Sequence, residues 1–242
     1  MKKFFMFCVL SALCLPLFSA DIWEMREEIS VEGVTAEKVT VVSDGIMKIT
    51  NSSPNASAET LIDLNADKIV IVSHNSKTSQ TIKLSAYIGF AKQLFSELQA
   101  KTGNIDPEKV IPNVTFEKVG NETIGKWNCE VWNVVTDGKP YSKVWVTPEL
   151  KNQQLIDFKK KFSSVLPENL TKYRSIDAKI EDNFVSKGMI VKSVKLSQNV
   201  KMPEITITVK DVKKSPLKAV TLEIPAGYAD KSTPGAIQSQ TK

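Results

Sequence analysis

The chain has 242 residues, and its 32 Lys and Arg against 27 Asp and Glu leave a formal charge of only +5, spread along its length. That excludes the concentrated basic footprint of a nucleic-acid binder. With one His, three Cys and ten Gly, it offers no His/Cys cluster at metal-ligand spacing, no glycine-rich phosphate loop and no Ser-His-Asp set built around its single histidine.

The first element is residues 1–20. Lys2 and Lys3 precede an apolar run from Phe4 to Phe18, and Ser19 and Ala20 supply small residues. This is the layout of a secretory signal peptide, with cleavage expected after Ala20. An uncleaved anchor is the weaker alternative, because the run falls short of about 20 residues and Pro16 interrupts it. Leu13 before Cys14 is too large for lipoprotein processing. Maturation removes Lys2, Lys3, Cys8 and Cys14, so the charge falls from +5 to +3 and Cys129 is left alone. An exported chain with one thiol has no internal disulfide. The expected location is periplasmic or secreted. The remaining roughly 220 residues can bury a core without staples. No Gly/Ser linker divides them, so one domain is expected over residues 21–230, followed by a mobile tail at 231–242.

Strands are expected next. Trp23, Met25, Ile29 and Val31 alternate with Glu24, Arg26, Glu28 and Ser30, and Glu27 is the one residue that breaks the apolar side. Asp44-Gly45 predicts a two-residue hairpin turn with both residues at positive φ, pairing Val39 with Thr50 and Val41 with Lys48. Residues 60–84 predict two or three more strands around a turn at Asn65–Asp67. His74 falls in a turn and reads as a solvated loop residue. Asp63, in an apolar strand, reads as a strand-edge polar contact.

The period changes at residues 84–101, where Leu84, Tyr87, Ile88, Ala91, Leu94, Phe95 and Leu98 form one helical stripe and Gly103 is placed to stop it. A second helix is expected from Thr147 as cap, with Pro148 and Glu149 in its first turn and Pro167 at its end. Lys159–Lys161 reads as its solvated face. "EITITVKDV" alternates as a strand, and "KAVTLEIPAGY" is expected to be a short final strand with a turn.

Between the helices, "GKWNCEVWNVVTDGKPYSKVWVTPEL" holds three of the four tryptophans. An Asp137-Gly138 turn pairs Thr136 with Lys139 and Val135 with Pro140. This register puts Cys129, Val131, Val144 and Val146 on one face and Trp132, Val134, Tyr141 and Trp145 on the other. Pro140 then requires an edge or a bulge at that end. Cys129 reads as a small buried hydrophobe, since nothing local would lower its pKa.

The same residues resemble a secreted bacterial family, the domain of unknown function DUF4412. Gly125, Trp127, Cys129 and Trp132 match its G-aromatic-x-C-x-x-aromatic strand. Val144, Trp145, Val146 and Thr147 match its "VWVT" strand. Asp63 and Lys77 match an earlier segment, and Ile224, Pro225, Gly227 and Tyr228 match its closing motif. The matches run in order over most of residues 45–228. This resemblance implies likeness to the periplasmic lipoprotein carriers LolA and LolB. The implied fold class is α+β: a curved antiparallel sheet, or incomplete β-barrel, with two amphipathic helices over its concave face. The family has no settled activity, so no catalytic residue, metal or cofactor is carried over.

Three functions stay open at this point. The first is a periplasmic carrier for an apolar ligand such as a lipid or acylated peptide. Helix 84–101 would be its lid, and Trp23, Met25, Tyr87, Phe90, Leu94, Phe95, Trp132 and Trp145 would line the cavity. The second is an interaction or chaperone-like module for an envelope protein, working through a sheet edge or apolar patch. The third, an enzyme, has the least support, and the chain is read as none. No nucleic-acid partner and no stable membrane insertion after signal cleavage are expected, and the chain is read as a monomer.

Overall fold

The computed structural model describes residues 22–102, 112–167, 175–196, 203–215 and 220–232. The expected signal peptide and most of the expected tail lie outside them. The chain begins with an antiparallel meander of six strands: β1 (Ile22–Val31), β2 (Val34–Ser43), β3 (Ile46–Ser52), β4 (Ser57–Asp63), β5 (Lys68–Ser73) and β6 (Thr78–Lys83). Helix α1 (Leu84–Thr102) follows, then β7 (Val114–Ile124), β8 (Trp127–Thr136) and β9 (Lys139–Thr147). Helices α2 (Gln153–Val165) and α3 (Ile176–Phe184) precede β10 (Met189–Lys195), β11 (Ile205–Ser215) and a two-residue β12 (Ala229–Asp230).

All twelve strands form one open sheet in the order β12-β6-β5-β4-β3-β2-β1-β11-β10-β9-β8-β7. Every pairing is antiparallel except β12 with β6. The chain closes the middle of the sheet late, when β11 returns to pair with β1. Bulges interrupt β1–β11, β9–β10, β7–β8 and β8–β9, whereas β2 to β6 pair without a break. Each bulge inserts an unpaired residue and sharpens the local twist, so the irregularities are concentrated on the β11-to-β7 side of the sheet.

The β2–β3 register is the expected one, with Val39 opposite Thr50 and Val41 opposite Lys48. Its turn is not the expected type. Gly45 has φ +71, but Asp44 keeps a negative φ, unlike Asp137 and Gly138, which stand at +49 and +76. The neighbouring β4–β5 turn holds it: Leu64 N–H donates to Gly45 O at 2.9 Å and Asn65 Nδ2 donates to Asp44 O at 2.9 Å.

The β8–β9 hairpin starts as expected, with Thr136 opposite Lys139 and Val135 opposite Pro140. It then bulges, so that Val134 faces Ser142 and Trp132 faces Val144. The extra residue, Tyr141, shifts every later pair by one and exchanges the expected faces. Trp145 joins Trp127, Cys129 and Val131 in one core cluster with Met189, Val191 and Val209. Val144 and Val146 instead join Val134 and Tyr141, with Trp132 packed against them and Ile180 and Phe184 of α3 completing the cluster. The irregularity required by Pro140 is therefore present, and it overturns the face assignment.

The second helix begins at Gln153 rather than beside Thr147. Thr147 stays in β9, fully buried and paired with Met189, and Asn152 is the cap, accepting from Leu155 N–H at 2.9 Å. Helix α3 carried no expectation; it starts at the capping hydroxyl of Ser175 and buries Ile180 and Phe184. The expected final strand is absent from the described part of its range. Residues 220–228 instead run over the outer side of β4 and β5, where Val220, Leu222 and Tyr228 pack against Leu61, Val70 and Val72. His74 is not a free loop residue: its Nδ1 lies 2.9 Å from Tyr228 Oη, tying this strap down.

Candidate functional site

One face of β3, β2, β1, β11, β10 and β9 forms the floor of an open-sided cavity of about 560 Å³, and α2 and α3 supply the opposite wall. A volume in the ~300–1,000 Å³ range is what small-molecule sites occupy. The floor is largely apolar through Met25, Met47, Ile49, Val144, Ile207 and Val209. From the helices come Leu155, Ile156, Ile180 and Phe184. Phe184 is held edge-on between Phe116, at 5.4 Å and 85°, and Trp132, at 5.5 Å and 62°.

The polar lining falls into two groups. At the rim, charges are paired. Lys159 of α2 meets Glu181 of α3, linking the two helices. Lys195 Nζ lies 3.2 Å from Asp177, and Tyr141 Oη donates to Asp177 at 3.1 Å. Burial pushes the Tyr141 phenol up. Burial also works to lower the Lys195 ammonium, but its contacts with Tyr141 and Asp177 outweigh it, so Lys195 titrates above its ordinary value. The second group is buried: Glu27, Thr40 and Ser142, of which Thr40 Oγ1 and Ser142 Oγ have no hydrogen-bond partner among the described residues. Glu27 Oε2 is paired with Lys38 Nζ, directly across on β2, at 2.9 Å.

Of the residues expected to line a cavity, the structure brings only Met25 to it. Trp23 is buried in β1 opposite Val42, with Lys214 Nζ 4.5 Å from its ring centre. Trp132 stands behind Phe184 under Lys187 Nζ, at 4.1 Å. Trp145 is buried on the other side of β9 from Val144; its Nε1 donates to Glu122 at 2.7 Å and its ring lies between Lys143 and Lys192. Tyr87 and Leu94 on α1 are each 49% exposed, and Phe90 and Phe95 are half-buried away from the cavity. Helix α1 therefore does not roof the cavity. It is anchored at its start, where Ser85 N–H and Oγ donate to the Asp67 carboxylate, a contact that also lowers the Asp67 pKa. The covering pair is α2, which packs on β2, and α3, which packs on β10.

Cys129 lies in the core beside Trp127, and burial pushes its thiol up, with no cation to oppose it. Native protein is expected to resist alkylation by iodoacetamide at pH 8 and to react fully in guanidinium. Rapid labelling of native protein would contradict this burial. Among the described residues no group of three or more His, Cys, Asp and Glu could hold a metal ion, and no helix is long and apolar enough to cross a membrane.

The DUF4412 family model, a domain of unknown function, matches residues 28–228. The chain belongs to this family. The DUF4412 signature residues serve mainly the architecture here: Trp127, Cys129 and Trp145 build a core cluster, and Tyr228 secures the strap. No curated protein matches the chain. Among solved structures, it is similar to an uncharacterized conserved protein from Thermus thermophilus, at 8% identity over 89% of this chain and 92% of that one, with TM-score 0.46. It is also similar to the Pseudomonas aeruginosa MucA/MucB complex, at 9% identity over 83% and 54%, with TM-score 0.30. A LolA superfamily protein from Nitrosomonas europaea gives 8% identity over 84% and 88%, with TM-score 0.27. All three scores lie below 0.5, so the functional reading rests on this chain's own sheet and cavity.

Proposed function

We propose that this DUF4412 protein is exported through its N-terminal segment and carries an apolar or amphiphilic ligand, a lipid or an acylated peptide, in the cavity beneath α2 and α3. The observation behind this reading is the cavity itself: about 560 Å³ between a bent sheet and two amphipathic helices, lined mostly by Met, Val, Ile, Leu and Phe. Each buried methylene contributes about 0.8 kcal/mol. An acyl chain of some ten methylenes thus supplies roughly 8 kcal/mol before the cost of association. The rim ion pairs at Lys159–Glu181 and Lys195–Asp177 are exposed. Such pairs are individually weak, so they hold the helices over the cavity without locking them. The reading is a binding protein, not an enzyme, acting outside the cytoplasm.

Native mass spectrometry of protein isolated from its own host's envelope tests this without a guess at the ligand. A lipid-sized adduct is expected. After delipidation, the protein should bind a neutral fluorescent hydrophobe, N-phenyl-1-naphthylamine, at one saturable site. Absence of both adduct and saturable binding refutes the carrier reading.

A further inference from the structure

We infer that Met25, Met47 and Met189 form an adaptable wall of this cavity, and that through them the protein accepts apolar chains of unequal shape: straight, cis-unsaturated and methyl-branched. The inference rests on the carrier reading and adds which side chains set its selectivity. The sequence has six methionines, and the structure describes three of them. All three line the cavity, each from a different strand: β1, β3 and β10. Met25 on β1 lies opposite Thr40 of β2, and Met47 on β3 lies opposite Val42, two residues along on the same face of β2. On its other side Met25 lies opposite Val212 of β11, and both pack against the core cluster that contains Met189. The row therefore crosses five neighbouring strands, β3-β2-β1-β11-β10, or roughly 19 Å of floor. Met25 and Met47 are only half-buried, so the core does not seal them, and Met189 is 9% exposed.

The kinds of side chain in this floor explain what the row does. Elsewhere the apolar floor is β-branched, through Ile49, Val144, Ile207 and Val209. Such side chains pack well on a strand but are stiff about χ1, so they present a fixed relief. Methionine has three rotatable bonds and a polarisable thioether, and it fills irregular gaps by changing rotamer. A wall of this kind keeps van der Waals contact with a chain that bends at a cis double bond or carries methyl branches. A rigid wall would clash with such a chain or leave a void beside it. Rigid apolar pockets separate ligands that differ by one methylene by roughly 10–200-fold, and the methionine row removes that discrimination. Lys195, with its partner Asp177, stands at the opposite end of β10 from Met189, so a head held at that rim leaves the row to the chain.

Displacement of N-phenyl-1-naphthylamine from the delipidated full-length mature protein provides the test. The competitors are three lysophosphatidylcholines that share one head group and differ in the chain: stearoyl, oleoyl and phytanoyl, each kept below its critical micelle concentration. They are expected to bind the wild type within about threefold of one another. The triple variant Met25→Leu/Met47→Leu/Met189→Leu conserves volume, an exchange that cores tolerate well, and it replaces flexible side chains by ones with well-defined rotamers. Its affinities for the three chains should spread by about tenfold or more. In methyl spectra of wild type labelled with carbon-13 methionine, the Met25, Met47 and Met189 signals are assigned by the three single leucine variants. They should move with every chain, to positions that differ from chain to chain. A wild-type preference of about tenfold or more for one chain overturns the inference while leaving the carrier reading intact, and this needs no variant to fold. Unmoved methionine signals, or a triple variant as tolerant as the wild type, also overturn it. A saturably bound probe that none of the three displaces overturns the inference alone, whereas the lack of any saturable probe site removes the carrier reading as well.

Discussion

Gly188→Ala is expected to destabilise the protein by about 3–5 kcal/mol, among the largest effects of any single substitution. Gly188 joins α3 to β10 at φ +150, a conformation that side-chain-bearing residues rarely adopt. A Cβ built there would sit 2.0 Å from Thr147 O, 2.7 Å from Thr147 C and 2.9 Å from Pro148 Cα. All three are backbone atoms, so no rotamer change relieves the overlap. Thr147 is itself fully buried and paired with Met189, so the end of β9 cannot yield without opening the β9–β10 ladder. Gly188 N–H also donates to Phe184 O at 3.0 Å, closing the C-terminal end of α3. At about 2–4 °C per kcal/mol for a chain of this size, the midpoint of thermal unfolding should drop by about 10 °C or more. A variant melting within about 2 °C of wild type would show that the close approach of these two backbones is not as described. Because Gly188 also borders the cavity, surviving folded protein should lose probe binding together with stability.

Local pattern carried much of this architecture. Alternation located β1, the Asp44-Gly45 dipeptide located the β2–β3 hairpin with its register, and a 3.6-residue stripe located α1. The Asp137-Gly138 dipeptide fixed the tip of the β8–β9 hairpin, and Pro140 announced the irregularity beside it. What local pattern could not supply was the consequence of that irregularity: the one inserted residue at Tyr141 transfers Trp145 from one face to the other. Nor could it tell which amphipathic helix covers the concave face. An apolar stripe such as that of α1 states only that a helix has a side to bury; Tyr87 and Leu94 remain exposed because the covering place is taken by α2 and α3. Helix α3 itself is nine residues long, too short for periodicity to stand out. Strands β7 and β10 carried no expectation either, since β7 is an exposed edge rich in Glu, Lys, Asn and Gly and β10 is short and bulged. The deepest polar feature of the cavity was visible as the single break in the alternation of β1. The pairing of β1 with β2 accounts for Glu27 there: Lys38 lies directly across and its Nζ is 2.9 Å from Glu27 Oε2.

Phe184→Ala tests the covering wall from the other direction. The Phe184 side chain is 1% exposed, lies edge-on to Phe116 and Trp132, and faces the cavity. Truncating a buried phenylalanine typically costs about 3–5 kcal/mol, from lost transfer energy plus the void left behind. The aromatic pairings add to that loss. Unfolding in urea should show a lower midpoint with an unchanged slope, and Trp132 fluorescence should shift to longer wavelength as water reaches its ring. If the hole opens into the cavity, the cost is not fixed. A ligand that binds only the folded state stabilises it by RT ln(1 + [L]/Kd). A longer acyl chain can fill the space Phe184 vacates, whereas in the wild type that space is taken. The stability deficit of the variant should therefore shrink as chain length increases at constant free concentration, and a deficit identical for all chain lengths would show that Phe184 seals the sheet without contributing to the ligand wall.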